Sequence, residues 1–241
     1  TSDRLIDQKI DGENGFRDEL EKREIKYVVT NHLKSLSVRE IVAKAKISFC
    51  IGGPWIFDKE DIERHKVLYN LHATRLPAYR GGACYSWQIL ADDYRGGVTL
   101  HNLDQKIDGG DILLQDLFQI PIGSKVAEFE DISYDKTRNF IDMLFEKSDN
   151  FLISLKPTEV VCSTMYMPRL NRGVHAWIDW SWGSSDIEKF IRAFSFSGFG
   201  AFSRVSGKSD VIQIVCADLV ESEINFHPFQ SGIVFDKDDE F

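Results

Sequence analysis

Short, near-continuous apolar runs punctuate this chain and set its expected architecture. IKYVVTN (25–31), ISFCIGG (47–53), VLYNLHA (67–73), GVTLHNL (97–103) and ILLQDLFQIPI (112–122) each read as strands. The runs at 47–53 and 67–73 have the texture of strands covered on both faces. Segments with helical spacing lie between them. FRDELEKRE (16–24) sets Phe16 and Leu20 on one face, and Ser37-Val-Arg-Glu40 has capping-box spacing ahead of an apolar stretch. A helix is expected over 85–92 and a long one over 134–155. Strands alternating with helices predict an α/β protein built on a parallel sheet.

The texture changes from residue 158. DIEKFIRAF (186–194) predicts a short helix capped by Ser184 or Ser185, and the stretch 200–220 a β hairpin turning at Gly207-Lys208. The expected organisation is therefore a catalytic-type domain over 1–157 and a smaller, partly β region over 158–241. The opening TSDRLIDQKIDGENG is polar and holds no strand, whereas a βαβ unit needs ~30 residues or more. The opening βαβ portion is expected to be missing or rearranged. The tail DKDDEF (236–241) is charged and expected to fray.

Composition narrows the function classes. The chain has 241 residues, 43% of them hydrophobic, which is enough for a sizeable core without metals or disulfides. No run approaches ~20 consecutive apolar residues, so no membrane span is expected, and nothing reads as a signal peptide. The formal net charge is -9 and there is no Lys/Arg-rich block, so nucleic acid is not expected as the main substrate. Cys50, Cys84, Cys162 and Cys216 show no CxxC pair and no zinc spacing. They read as free thiols in a reducing cytoplasm.

The candidate chemistry lies between Tyr69 and Asp111. In an α/β sheet, ligands bind beyond the carboxyl ends of the strands. Gly52-Gly53 and the pair Asn70/His72 both fall at strand ends and should face one crevice. Asn70 and His72 are i, i+2 on a strand and project to the same side, and Asp108 follows ahead of Gly109-Gly110. An amide, an imidazole and a carboxylate suffice for acyl transfer to an amine: one donor for the oxyanion, one group for proton traffic, one to orient it. Taken singly, Asn70 reads as a turn residue and His72 as a core histidine. The combination with Asp108 and the intervening loop makes the case.

The neighbours read more plainly. His101 reads as a strand-surface residue beside the crevice. Asp104 and Asp111 read as a solvated turn rather than a cation site. Arg75 and Arg80 could steer an anionic substrate or hold their loop by bonding carbonyls. Gly81-Gly82 and Gly109-Gly110 serve tight turns. Trp177, Trp180 and Trp182 read as a core or dimer contact. His32, His65, His175 and His227 read as surface or structural residues, and no phosphate-cradling glycine fingerprint is present.

NLHATRLPAYRGG followed by KIDGGD resembles the 10-formyltetrahydrofolate-dependent formyltransferases. The double glycine, SWQIL, VTLHNLD and the stretch MPRLNRGVHAWIDWSWGSSDIEKFIRAF are most similar to the sugar-nucleotide N-formyltransferases among them. The resemblance covers roughly 25–205. It implies a Rossmann-like sheet of the formyltransferase type, with Asn70, His72 and Asp108 as the catalytic trio. It implies that Gly52, Gly53, Pro54, Trp55 and Ile56 line the pterin pocket, that Leu103 and Asp104 belong to the backbone bonding the pterin ring, and that Arg75, Tyr79, Arg80 and Gly81 lie on the substrate side. The implied co-substrate is 10-formyltetrahydrofolate, with no metal. The implied acceptor is a nucleotide-linked amino deoxysugar of bacterial surface-glycan (O-antigen-type) synthesis, in a cytoplasmic homodimer joined through its C-terminal part. The alternatives are methionyl-tRNA formyltransferase, glycinamide ribonucleotide formyltransferase, and a folate- or nucleotide-binding module without activity.

Overall fold

Four strands form where the apolar runs lie, in the order β1–β2–β4–β5: β1 (Ser48–Ile51), β2 (Leu68–His72), β4 (Arg95–Asn102) and β5 (Ile112–Gln119), with β3 the two-residue Arg80–Gly81. The computed structural model describes residues 1–9, 15–160, 163–196, 198–224 and 226–234. Cys162 and the tail from 236 lie outside the described residues. The chain divides into two compact units that are interleaved in sequence, where texture suggested a single cut at 157. The first unit takes Thr1–Arg80, Gly97–Leu117 and Lys136–Met165; the second takes Gly81–Gly96, Phe118–Asp135 and Tyr166–Phe241.

The first unit holds most of the sheet. β1 and β2 are parallel, with Cys50 opposite Asn70. β2 and β4 are antiparallel, with Asn70 opposite His101 and His72 opposite Thr99. The fold class is thus the α/β one expected, with the parallel pairing at β1–β2 and an antiparallel partner beside it. Leu68, Tyr69, Leu71, Val98 and Leu100 are buried, and their removal from water drives the sheet together. Phe49 lies 5.9 Å from the Tyr69 ring and 6.3 Å from Phe145 near the end of α6 (Val126–Phe145). Tyr69 Oη donates 2.7 Å to the Leu152 carbonyl of α7 (Asp149–Ile153).

Several expected boundaries shift. Residues 25–30 form no strand; the Thr1 ammonium donates 2.9 Å to the Val28 carbonyl, and Thr30 N–H donates 3.0 Å to the Thr1 carbonyl. β-Branched composition fits a strand but does not supply an edge to pair with. Among the described residues, α1 (Asp3–Ile6), α2 (Phe16–Lys22) and α3 (Leu36–Lys44) precede β1, and no strand does. α3 starts at Leu36 with Ser35 as its N-cap, so Ser37 sits inside the helix and the capping box does not form. The long helix begins at Val126 instead of 134, because Val126 and Phe129 are buried one turn apart. It stops at Phe145, and Ser148 Oγ accepts from Phe151 N–H to start α7.

The second unit is built on α5 (Cys84–Leu90) and α9 (Ser184–Phe194), packed around Ile89, Phe129, Phe190, Ile191 and Phe194. The N-cap of α9 is Gly183, so neither expected serine caps it through its side chain. β6 (Tyr166–Met167) and α8 (Arg172–His175) precede it. β7 (Ala201–Arg204) and β8 (Val211–Ile214) form the expected hairpin, with Gly207 at φ +73 in the turn. The three tryptophans pack within this unit: Trp177 lies 5.2 Å from Phe202, Trp182 lies 5.0 Å from Phe190, and Trp180 Nε1 donates to Ser203 Oγ at 2.9 Å.

Candidate active site

β2 places Asn70 and His72 on one side of the first unit's sheet, as their i, i+2 spacing requires. The chain then enters the loop after β2, which is fixed from beneath. Thr99 Oγ1, fully buried, donates 2.7 Å to the Thr74 carbonyl and accepts from Leu76 N–H (3.3 Å) and Gln115 Nε2 (2.8 Å). On the far side, the turn between β4 and β5 brings Asp108 back over β2. Asp108 has φ +47, a left-handed conformation that an aspartate tolerates better than most side chains.

The three expected groups meet. Asn70 Nδ2 donates 3.3 Å to Asp108 Oδ1, and His72 Nδ1 lies 3.7 Å from that same oxygen. The imidazole and carboxylate side chains are 17% and 13% exposed, so water screens the pair little whenever the imidazole carries a second proton. His72 Nε2 is buried and has no hydrogen-bond partner among the described residues. It is the one imidazole nitrogen of the pair not turned toward the carboxylate, and so available to an incoming group.

A fourth group is present that sequence reading placed elsewhere. His101 is 1% exposed, not on the strand surface. Its Nδ1 contacts the Asn102 carbonyl at 2.7 Å and its Nε2 contacts Asn70 Nδ2 at 2.9 Å. A carbonyl only accepts, so Nδ1 carries the proton; neutral Nε2 then accepts from the amide. Burial pushes the His101 pKa below that of an ordinary histidine, against the pull of the Asn102 carbonyl and Asp108. Cys50 lies beside Asn70 on β1, and burial raises its thiol pKa.

The loop carrying Asp108 is braced by Arg80. Its Nε and Nη2 donate 2.9 and 2.7 Å to the Ile107 carbonyl, and its Nη1 lies 3.4 Å from Thr164 Oγ1. Of the two sequence readings of Arg80, holding the loop is the one its bonds express. Gly110 lets the loop return: a Cβ there would stand 1.8 Å from the Asn102 carbonyl oxygen. Tyr79 is buried with φ +54, and its carbonyl accepts from Thr74 Oγ1 at 3.3 Å. Arg75 is half-buried, with its backbone against Gly97. Gly81 belongs to the second unit, where φ +100 and the nearby Met167 carbonyl leave no room for a Cβ.

A cavity of about 330 Å³ opens beside the Asp108 loop. Leu103 and Asp104 line it, as do Asn102 and Gly109 to Asp111. Gly52 to Ile56 do not; Gly52 has φ +59, and Ile56 is exposed. Its other wall is Lys59, Ile62 and Glu63 on or beside α4 (Lys59–Glu63), which sequence reading passed over. Their signal was the Asp58-Lys-Glu-Asp61 capping box, in which Asp58 accepts from Asp61 N–H at 2.8 Å. Among the described residues no cluster of side chains could hold a metal ion, and no helix is long and apolar enough to cross a membrane.

Known proteins share this fold. Residues 55–140 match the formyl transferase family profile. Methionyl-tRNA formyltransferase of Clostridium perfringens is 32% identical over 56% of this chain and 43% of its own length. The chain thus spans less than half the length of that relative. The N-formyltransferase of Helicobacter canadensis, solved with folinic acid and dTDP-3-aminofucose, superposes with a TM-score of 0.57 at 25% identity, over 78% of this chain and 66% of that one. A 4-N formyltransferase from Francisella tularensis gives a TM-score of 0.66 at 15% identity, over 85% and 83%. Residues 55–140 thus match the formyl transferase profile, and the chain is similar in fold to solved sugar N-formyltransferases.

Proposed function

We propose that the protein transfers the formyl group of 10-formyltetrahydrofolate to the amine of a nucleotide-linked amino deoxysugar, for bacterial surface-glycan synthesis. The observation that carries this reading is the meeting of Asn70, His72 and Asp108 around one carboxylate oxygen, with His72 Nε2 buried and unpaired. That orphan nitrogen suits a reacting amine, and the cavity lined by Leu103 and Asp104 suits the pterin end of the folate. The folate, when bound, supplies the formyl carbon. His72 takes the proton that the attacking nitrogen must lose and would return it to the folate nitrogen released when its bond to the formyl carbon breaks. Asn70 offers an N–H to the oxygen that becomes negative, a contact worth ~3 kcal/mol when well placed. Asp108 Oδ1, 3.7 Å from Nδ1, faces His72 on the side away from the reacting nitrogen.

The solved relative with a bound dTDP-amino sugar supports the sugar-nucleotide acceptor. The identity to methionyl-tRNA formyltransferases supports a second reading, tRNA as acceptor. The net charge of -9 weighs against it, because a polyanion is held by a basic surface. A mass-spectrometric assay separates them. Purified protein is incubated with 10-formyltetrahydrofolate and either a panel of 3- and 4-amino dTDP sugars or charged initiator tRNA. A formylated sugar nucleotide is expected; formylation of tRNA alone would replace this reading by the second.

A further inference from the structure

The antiparallel register sets His101 directly across from Asn70, so the two side chains rise from the same face of adjacent strands. Nothing in the formyl-transfer chemistry above uses this imidazole. Yet it is among the most deeply buried polar residues of the chain, and both of its nitrogens are engaged. The Asn102 carbonyl dictates the tautomer, as only an N–H can satisfy it. The lone pair left on Nε2 then dictates the amide. Asn70 must present its nitrogen to two acceptors at once, Nε2 at 2.9 Å and the Asp108 carboxylate at 3.3 Å. Turning the amide over would set its oxygen against a lone pair and a carboxylate, both repulsive.

We propose that neutral His101 is a positioning residue of this site: its Nε2 accepts one N–H of Asn70 and thereby fixes the way the amide faces. The shorter bond commits one amide proton. The longer contact to Asp108 leaves the second as the proton that turns to a developing negative charge. The charged and titratable groups facing His101 are Asp108 on the β4–β5 turn, Arg80 on β3 and His72 on β2. His72 and Arg80 oppose a second positive charge, Asp108 favours one, and burial opposes it most. An imidazolium would aim an N–H at the amide nitrogen and break the arrangement. The catalytic part of this inference rests on the formyl-transfer reading; the tautomer and amide orientation do not.

The test has two arms. In the first, His101→Phe is made in the wild-type and Asn70→Ala backgrounds, with His101→Gln as the conservative variant whose Oε1 replaces the Nε2 acceptor. His101→Phe is expected to lower kcat roughly 10- to 100-fold with KM for both substrates little changed, as loss of donor alignment predicts. His101→Gln restores most of that loss, and His101→Phe adds less than about twofold once Asn70 is alanine. An equal loss in both backgrounds, or no rescue by glutamine, overturns the proposal in favour of a packing role. In the second arm, nitrogen NMR of wild-type protein reads the ring directly. Protonated Nδ1 and bare Nε2 at neutral pH are expected; the opposite tautomer overturns the proposal. If wild-type protein formylates no acceptor, the formyl-transfer reading fails, and the NMR arm still decides His101.

Discussion

Replacing Gly110 by alanine puts the geometry of the Asp108 loop under direct strain. The new Cβ would stand 1.8 Å from the Asn102 carbonyl oxygen and 2.7 Å from its carbon, with His101 Nδ1 at 3.4 Å. Ordinary contact needs roughly 3.4 Å or more, so the loop must retreat by about 1.5 Å or the end of β4 must deform. Both neighbours are backbone, which cannot swing aside. Overpacking of this kind costs ~1–3 kcal/mol. The larger effect is on chemistry, because the same loop holds Asp108 at 3.7 Å from His72. A displacement of about 1 Å can cost ~100-fold in turnover. Two alanine controls calibrate the result. At Gly109 the nearest atom is Lys106 Cβ at 2.7 Å with the Arg80 guanidinium at 3.1 Å, and at Gly123 there is nothing within 4 Å, although φ is +87. Turnover of the formyl acceptor and urea midpoints are measured for all three. Gly110→Ala should lose ~100-fold in kcat while Gly123→Ala loses stability alone, ~1–2 kcal/mol. Wild-type turnover in folded Gly110→Ala would refute the placement of this loop over β2.

Three further outcomes follow from named bonds. Arg80→Lys replaces a two-pronged hold on the Ile107 carbonyl with a single donor and should lower kcat ~10-fold without unfolding the protein, read by steady-state kinetics beside circular dichroism. Thr99→Val removes a buried hydroxyl from the Thr74 carbonyl, Leu76 N–H and Gln115 Nε2, which keep other partners, and should cost ~1–2 kcal/mol in urea unfolding; no loss would contradict the network. Burial raises the Glu130 pKa to about 7, with Asp131 adding to the shift. A carboxyl raised above its unfolded value of ~4.3 stabilises the fold at low pH, and this is lost as pH climbs toward ~7. Glu130 is only half-buried, so Glu130→Gln should gain just ~1 kcal/mol at pH 8 and nothing at pH 4, read as thermal midpoints.

The local grammar of the chain carried much of this. Asn70 and His72 were paired by the two-residue period of a strand, and the apolar runs at 47–53, 67–73 and 112–122 became β1, β2 and β5. What depends on strand register was out of reach. His101 sits in a run where apolar Val98 and Leu100 alternate with polar Thr99 and His101, yet both faces are buried, and its place across from Asn70 comes from a pairing 31 residues distant. Residues 25–31 failed for the complementary reason, having strand composition and no edge to pair with. Arg80 had two chemically sensible roles, and only the position of the Ile107 carbonyl chose between them. The α4 wall of the cavity was marked by a capping box, but a helix of five residues gives too little periodicity to announce itself.

The convergence of an amide, an imidazole and a carboxylate is tested most directly by the turnover of Asp108→Asn. This change keeps the shape of the side chain and removes the charge 3.7 Å from His72. Formyl transfer to an amino-sugar nucleotide, followed by mass spectrometry, should fall ~100-fold or more with the unfolding midpoint little altered. Asp108→Asn protein that turns over at the wild-type rate would contradict the account.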